Sequence, residues 1–304
     1  MFKQKKNMIS AANLSWNENG EPTSVEFNDI YFNTADGLDE TTYVFIEKNY
    51  LLQRWQDCTS AFYVIGETGF GSGLNFLVTW QHFTHFRAEN PEHPLKRLYF
   101  IGFEKYPLSA NDLVKSHDRW PSLAKQAQQL QEQYPAAIAG CHRLPFASAH
   151  NEHNAVILDL WFGDIKDTIT QLSVPSNGLV DSWFLDGFAP SKNPEMWNQT
   201  LYNNMAKLSK DKASLATFTA AGDVRRGLQH AGFTIKKAKG FGKKREMITA
   251  LFNRNTPFTS HNSWFHRPAI SSKTERVTII GGGVASTSLA YALAQRGVDS
   301  EIIC

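Results

Sequence analysis

Cysteine is scarce in this 304-residue chain: Cys58, Cys141 and Cys304 are the whole complement. Three thiols, odd in number and without a CxxC pair, argue against a disulfide framework or a cysteine zinc cage and fit a reducing compartment. No metal site is expected. Long apolar runs are missing as well. No stretch approaches the roughly 18 apolar residues that span a bilayer. The lysines of the opening MFKQKKNMISAANLSW are not followed by the apolar run of a signal peptide. The expectation is a soluble, cytoplasmic protein without a membrane partner. An excess of one charge is also absent, since 31 Lys and Arg against 29 Asp and Glu leave a net charge of +2. Any nucleic-acid contact must therefore come from local clustering. With 42% hydrophobic and 20% charged residues, the chain can bury a sizeable core.

What is present is an alternation of short apolar runs and helical patterns. Residues 13–33 read as strands joined by turns, with Asn19-Gly20 as a hairpin signal between LSW and SVEF. Helical spacing over 39–55 (Val44, Phe45, Tyr50, Leu51, Trp55) completes an N-terminal β-rich extension, 1–58. Beyond it, AFYVIG (61–66), LYFIGF (98–103), AVILDLWF (155–162), DSWFLD (181–186) and ASLATFT (213–219) predict strands. LNFLVTWQHF (74–83) and segments near 164–172, 196–209 and 222–231 predict helices, and Ser109 with Asp112 caps another. The Gln-rich stretch 126–133 reads as a solvated helix. Such alternation implies an α/β fold with a doubly wound, mostly parallel sheet covered on both faces. FTIKKAKGFGKKREMITALF (233–252) adds an antiparallel terminal hairpin. The expected boundaries are one domain over 1–255, an aperiodic linker over 256–275, and a new strand–helix–strand unit over 276–304 that is too short to bury its own faces.

The first chemistry-bearing segment follows AFYVIG. Glu67 leads Gly69, Gly71 and Gly73 at alternate positions, with Phe70 among them, and a helix begins behind the loop. Glycines there let backbone approach a ligand and adopt positive φ. The loop lies at the C-terminal end of a strand, where doubly wound sheets bind ligands. The run is E-x-G-x-G-x-G, not the dinucleotide G-x-G-x-x-G. A carboxylate at Glu67 repels a pyrophosphate but suits a ligand with an amino group and a sulfonium. That favours S-adenosylmethionine over NAD, with a structural turn as the alternative. LYFIGF ends in Glu104, placed to accept hydrogen bonds from two ribose hydroxyls or to serve as an ordinary helix-entry acid. Gly73 to Glu104 exceeds the usual ~20 residues, and the polar stretch 87–97 is expected to supply the excess as a longer connection. Asp164 in LWFGD suits either an adenine amino group or a helix N-cap.

DSWFLDGFAPSKNPEMW (181–197) delivers Asp186 to a strand tip, where Gly187, Pro190 and Pro194 force an irregular turn. Methyl transfer to an amine needs in-line positioning and a neutral nitrogen. Asp186 is the candidate to orient that amine and take its proton, against a plain turn-capping role. Phe188 suits base stacking or, like most of the 21 Phe, the core. Lys236, Lys237, Lys239, Lys243, Lys244 and Arg245 fall within ten residues that hold no acid. Phosphate contacts need such clusters; a solvated strand face is the bland alternative. With Lys192 on the turn and Arg225 and Arg226 on the preceding helix, the RNA-facing candidates are Phe188, Lys192, Arg225, Arg226, Lys243, Lys244 and Arg245. Finally, RVTIIGGGVASTSLAYALAQRG sets Gly281 and Gly283 between strand and helix with Ser286 at the third fingerprint position, a dinucleotide-binding start with one departure. Useful FAD binding by this unit alone is not expected.

YVIGETGFGSGLNFLVTW, FEKYPL, LDLWFGDI, WFLDGFAPSKNPEMW, ATFTAAGDVRRGLQ and GFGKKREM, followed by IIGGGVAS, together resemble the bifunctional tRNA 5-methylaminomethyl-2-thiouridine biosynthesis (MnmC) family over most of residues 10–304. The resemblance implies a class I S-adenosylmethionine-dependent methyltransferase domain followed by the start of an FAD-dependent oxidoreductase domain. It implies that the flavin domain removes a carboxymethyl group from a modified wobble uridine of tRNA. The methyltransferase domain then methylates the exposed aminomethyl nitrogen. By motif position, Glu67, Gly69, Gly71, Gly73, Glu104 and Asp164 would line the donor site, and Asp186 and Phe188 would face the target amine and base. A monomer that retains methyl transfer but not the oxidative step is expected. The rivals are an NAD or FAD oxidoreductase using the first glycine loop, a non-catalytic tRNA-binding module, and a methyltransferase acting on a small molecule or protein.

Overall fold

A computed structural model of the chain describes residues 9–18, 20–32, 37–146, 155–254, 276–294 and 298–304. In the extension, β1 (Leu14–Trp16), β2 (Pro22–Ser24) and β3 (Asp29–Ile30) form a three-stranded antiparallel sheet. Asn19 of the predicted hairpin signal lies outside the described residues; beside it Gly20 has a φ of +70°, and the Asn17 N–H donates to the Glu21 carbonyl at 3.1 Å. Next come α1 (Gly37–Thr41), a π-helical segment Thr42–Glu47 and α2 (Leu51–Gln56). Val44, Phe45, Leu51 and Trp55 are buried, as their helical spacing required, but Tyr50 is 65% exposed, because it sits in a left-handed turn (φ +55°) between the π-helical segment and α2.

The main body runs β4 (Phe62–Glu67), α3 (Leu74–Glu89), β5 (Arg97–Glu104), α4 (Ala110–His117), α5 (Ala124–Gln133), β6 (Gly140–Phe146) and β7 (Val156–Phe162). It continues through α6 (Ile165–Thr168), β8 (Val180–Phe184), α7 (Gln199–Leu208), β9 (Ser209–Thr217), α8 (Gly222–His230), β10 (Phe233–Lys239) and β11 (Glu246–Phe252). These strands make one eight-stranded sheet in the order β10-β11-β9-β8-β4-β5-β7-β6. β4 pairs in parallel with β5 and β8, β5 with β7, and β8 with β9. The terminal hairpin is present, β10 antiparallel to β11 and β11 antiparallel to β9.

Two expectations need correction. The sequence reading has no strand over 140–146, yet β6 pairs antiparallel with β7 at the sheet edge. Its GCHRLPF is half polar and contains Pro145, tolerated because an edge strand can lose a ladder donor. The connection from Gly73 to Glu104 is long because α3 continues to Glu89, past the predicted end at 83. The Gln-rich segment is helical, and it buries Ala127 and Leu130 while exposing much of its surface.

The central strands are apolar throughout because both faces of the sheet are covered. Neighbouring residues pack on opposite faces: Ile65 and Phe100 join Trp55, Phe76 and Phe83, whereas Val64 and Ile101 join Trp183, Trp197 and Met205. Gly66 admits the Trp183 ring, which would lie 2.5 Å from a Cβ at that position. The strand order reverses at β4, between β5 and β8, and a crevice outside the carboxyl ends of such strands is the natural ligand position. The unit β12 (Val277–Ile280), α9 (Val284–Ala294) and β13 (Ser300–Ile303) forms with its two strands parallel, as read. The linker 256–275 lies outside the described residues. Among the described residues no helix is long and apolar enough to cross a membrane.

Candidate active site

The loop from β4 to α3 meets three backbone demands. Gly71 and Gly73 have φ of +54° and +77°, values that side-chain-bearing residues rarely adopt. At Gly69 a Cβ would lie 2.9 Å from the Cα of Gly187 and 3.0 Å from the carbonyl oxygen of Asp186. The loop is thus pressed against the turn that follows β8. Thr68 fastens the two: its hydroxyl donates to the Asp186 carbonyl at 2.6 Å and accepts from the Asp186 N–H at 3.0 Å. Phe70 shapes the loop from below. It is buried, its N–H donates to the Phe103 carbonyl at 2.9 Å, and its ring fills the space beside Gly73 and Gly102.

A crevice of about 500 Å³ opens over this junction, lined by Gly69, Phe70, Gly71, Glu104, Asp164, Asp186, Phe188 and Lys244 among the predicted residues, whereas Gly73, the N-cap of α3, does not line it. Glu104 stands at the tip of β5 with both carboxylate oxygens engaged by backbone, Gly71 N–H and Tyr106 N–H each at 2.8 Å. Burial pushes its carboxyl up to about 7, against the pull of those N–H groups. Asp186 is pushed up to about 6 by burial, opposed by the Gly187 N–H and Asn75. Asp164 caps α6, accepting the Lys166 N–H at 3.2 Å, and also faces the crevice. Although burial acts the other way, Lys105 at 3.0 Å holds its carboxyl below the usual range.

Glu67 differs from the expectation of a carboxylate that meets a ligand in the open. It has no exposed surface and lies behind the crevice wall. Asn75 donates to one of its oxygens at 2.6 Å, and the other has no hydrogen-bond partner. Burial first, and then the Asp186 charge, raises its carboxyl well above the ordinary range.

Several crevice residues escaped the sequence reading. The extension supplies one wall: Phe27 stacks on Phe188 with centroids 4.7 Å apart, and Tyr31 meets Phe188 edge-on at 4.9 Å. Asp29 accepts the Ala189 N–H at 2.9 Å, tying that wall to the Asp186 turn. Glu40 on α1 pairs with Lys244 at 2.7 Å, and both line the crevice. The only signal in the sequence was composition, since an aromatic-rich extension precedes the sheet with no motif to place it.

The RNA-facing candidates separate. Lys244 enters the crevice, whereas Lys192, Arg226, Lys243 and Arg245 are exposed outside it and Arg225 is half-buried on α8. Arg226 pairs with Asp223. The acid-free run is partly neutralised by tertiary contacts, Lys237 with Glu246 at 2.7 Å and Lys244 with Glu40. Lys236, Lys239, Lys243 and Arg245 remain exposed along that edge. In the separate C-terminal unit Gly281 has φ of +102°, with the Ser286 hydroxyl oxygen 3.5 Å from where its Cβ would be.

A mostly parallel sheet with an antiparallel hairpin at the β11 end, and a glycine loop flanked by strand-tip carboxylates at the switch point, define a class I S-adenosylmethionine-dependent methyltransferase. Residues 121–253 match a family model described as S-adenosyl-L-methionine-dependent methyltransferase. The particular likeness is to MnmC. The chain is 55% identical over 298 residues to the tRNA 5-methylaminomethyl-2-thiouridine biosynthesis bifunctional protein MnmC of Aliivibrio fischeri, and 54% identical over 296 residues to that of Vibrio campbellii. These matches take in 98% and 97% of this chain but only 43% of each relative, their methyltransferase part. Over that part the chain is similar to the MnmC proteins, and it spans less than half of their length. The crystal structure of MNMC2 from Aquifex aeolicus shares the fold, with a TM-score of 0.58 and 21% identity over 83% of this chain and 73% of that one.

Proposed function

We propose that this chain N-methylates 5-aminomethyl-(2-thio)uridine at the wobble position of tRNA, using S-adenosylmethionine held in the crevice. The observation that carries this reading is the contact of the glycine loop with the Asp186 turn, which brings a donor loop and a proton-accepting carboxylate together at one crevice. The residues fit the donor. The carboxylates of Glu104, Asp164 and Asp186 face the cavity. That set suits a cation and disfavours a pyrophosphate, which weakens the NAD or FAD reading of this loop.

In this assignment Glu104 receives the ribose hydroxyls and Asp164 the adenine amino group, while Glu67, behind the crevice wall, braces Asn75 beneath the glycine loop. When bound, the sulfonium supplies an electrophilic methyl group. Asp186, largely ionised at pH 7 with its carboxyl near 6, orients the acceptor amine and takes the proton that the nitrogen gives up. Phe188, backed by Phe27 and Tyr31, offers an aromatic surface to the uracil ring. Lys192, Arg225, Arg226, Lys243 and Arg245 offer charge to the RNA backbone. We read 276–304 as the start of a dinucleotide-binding unit of the flavin type, with Gly281, Gly283 and Ser286 at its loop, and assign no step to it.

The test is mass spectrometry of wobble nucleosides from tRNA incubated with the protein and S-adenosylmethionine. Conversion of the aminomethyl to the methylaminomethyl form is expected. Tight tRNA binding without conversion would favour the non-catalytic binding module, and methylation of other acceptors alone would favour a small-molecule or protein substrate.

A further inference from the structure

Asn75 is a polar residue in the first turn of α3, whose neighbours are almost all apolar and buried, and it is itself only 7% exposed. Its side-chain nitrogen donates to Glu67 Oε1 and to Asp186 Oδ2, both at 2.6 Å. An amide nitrogen has two hydrogens, so each carboxylate takes one. The amide oxygen accepts from the Thr41 hydroxyl at 2.8 Å. That bond sets the orientation, because the reversed amide would turn an oxygen toward two carboxylates. The other Asp186 oxygen takes the Gly187 N–H at 2.9 Å. Asp186 is therefore held at both oxygens, once by its own turn and once by Asn75.

We propose that Asn75 is a positioning residue for methyl transfer: it holds the Asp186 carboxylate in one orientation at the crevice wall, braced against Glu67. The proposal rests on the reading of Asp186 as the group that receives the acceptor's proton. Two buried carboxylates this close repel one another, and the Asn75 donor eases ionisation of Asp186 beside Glu67, whose carboxyl burial and the Asp186 charge raise well above the ordinary range. The charged groups around them are Glu104 on β5, Glu40 on α1 and Lys244 from the β10–β11 turn. Glu40 makes ionisation of Asp186 harder and Lys244 makes it easier. Asn75 is the neutral partner that acts on Asp186 and Glu67 at once.

The test compares wild type with Asn75→Leu and Asn75→Asp. Methyl transfer per folded molecule is followed across pH, with donor Kd by calorimetry. The Asp186 carboxyl is titrated by carbon-13 NMR in donor-free protein, its signal assigned with Asp186→Asn. The expected result is an acidic limb, and an Asp186 titration, moved upward by about one pH unit, the scale of a lost charge-assisted hydrogen bond. The activity loss at pH 6.5 should exceed that at pH 8.5 by about threefold, the ratio of ionised fractions for a midpoint moved from about 6 to about 7, with donor Kd changed less than threefold. A uniform loss with an unmoved midpoint, or an unmoved NMR titration, overturns the proposal. If the Asn75 variants do not fold, Thr41→Val removes the donor that orients the amide, and a smaller shift in the same direction is expected; an unchanged profile overturns the proposal equally. A wild-type protein that methylates no tRNA would sink the reading of the site, while the NMR titration would still report whether Asn75 governs Asp186.

Discussion

Gly69→Ala puts one methyl group where two backbone atoms already stand, 2.9 Å from the Cα of Gly187 and 3.0 Å from the Asp186 carbonyl oxygen. Ordinary contact at a Cβ begins at 3.4 Å, so loop and turn must separate by about half an ångström. They cannot part freely. Thr68 grips Asp186 through two hydrogen bonds of 2.6 and 3.0 Å, and the strain is shared between them. Overpacking of this kind costs about 1–3 kcal/mol. A 1 Å misplacement of reacting groups costs on the order of 100-fold in rate, so half that displacement predicts about a tenfold lower kcat. Single-turnover methyl transfer to aminomethyl-bearing tRNA measures the rate, thermal melting measures stability, and calorimetry measures donor affinity. The expected pattern is a lower melting temperature, a kcat loss of about tenfold, and a smaller change in donor Kd. A variant that melts lower but keeps kcat within twofold would refute the claim that this contact positions Asp186.

Four further outcomes are expected. Asp186→Asn keeps the shape of the turn but removes the proton acceptor, so kcat should fall about 100- to 10,000-fold while calorimetry shows donor binding retained. Glu104→Gln should weaken donor binding about tenfold or more, as a charge-assisted hydrogen bond is lost. Glu104 also makes a pH prediction. Its folded carboxyl, near 7 rather than 4.5, binds more protons folded than unfolded, so stability falls as pH rises across that interval. Melting of donor-free wild type from pH 4.5 to 7.5 should show a decline that Glu104→Gln flattens. Finally, Lys243→Glu with Arg245→Glu should weaken tRNA binding and flatten its dependence on log salt by about one unit per lost phosphate contact; an unchanged slope in filter binding would remove this edge from the RNA interface.

What could be read without coordinates was whatever depends on near neighbours in the chain. The parallel strands are continuous apolar runs, the extension turns at Gly20, and the glycine loop announces its positive φ values through residue type. Asp186 and Glu104 were legible because a strand tip followed by Gly, Pro or a helix start is a local event. β6 was not, since its pairing with β7 is decided at the sheet edge and its own residues alternate around a proline.

Contacts across long stretches of chain were decided only by the tertiary structure. Asn75 reaches Asp186 across 111 positions, Lys244 reaches Glu40 across 204, and Asp29 reaches Ala189 across 160. Such pairs set the electrostatics of the crevice, because the charge state of a carboxyl depends on its depth and on the groups around it. Glu67 shows the difference most plainly. The sequence by itself determined that an acid would lead the glycine loop; only packing against α3 and the β8 turn decided that this acid would be buried, hydrogen-bonded through one oxygen and coupled to Asp186.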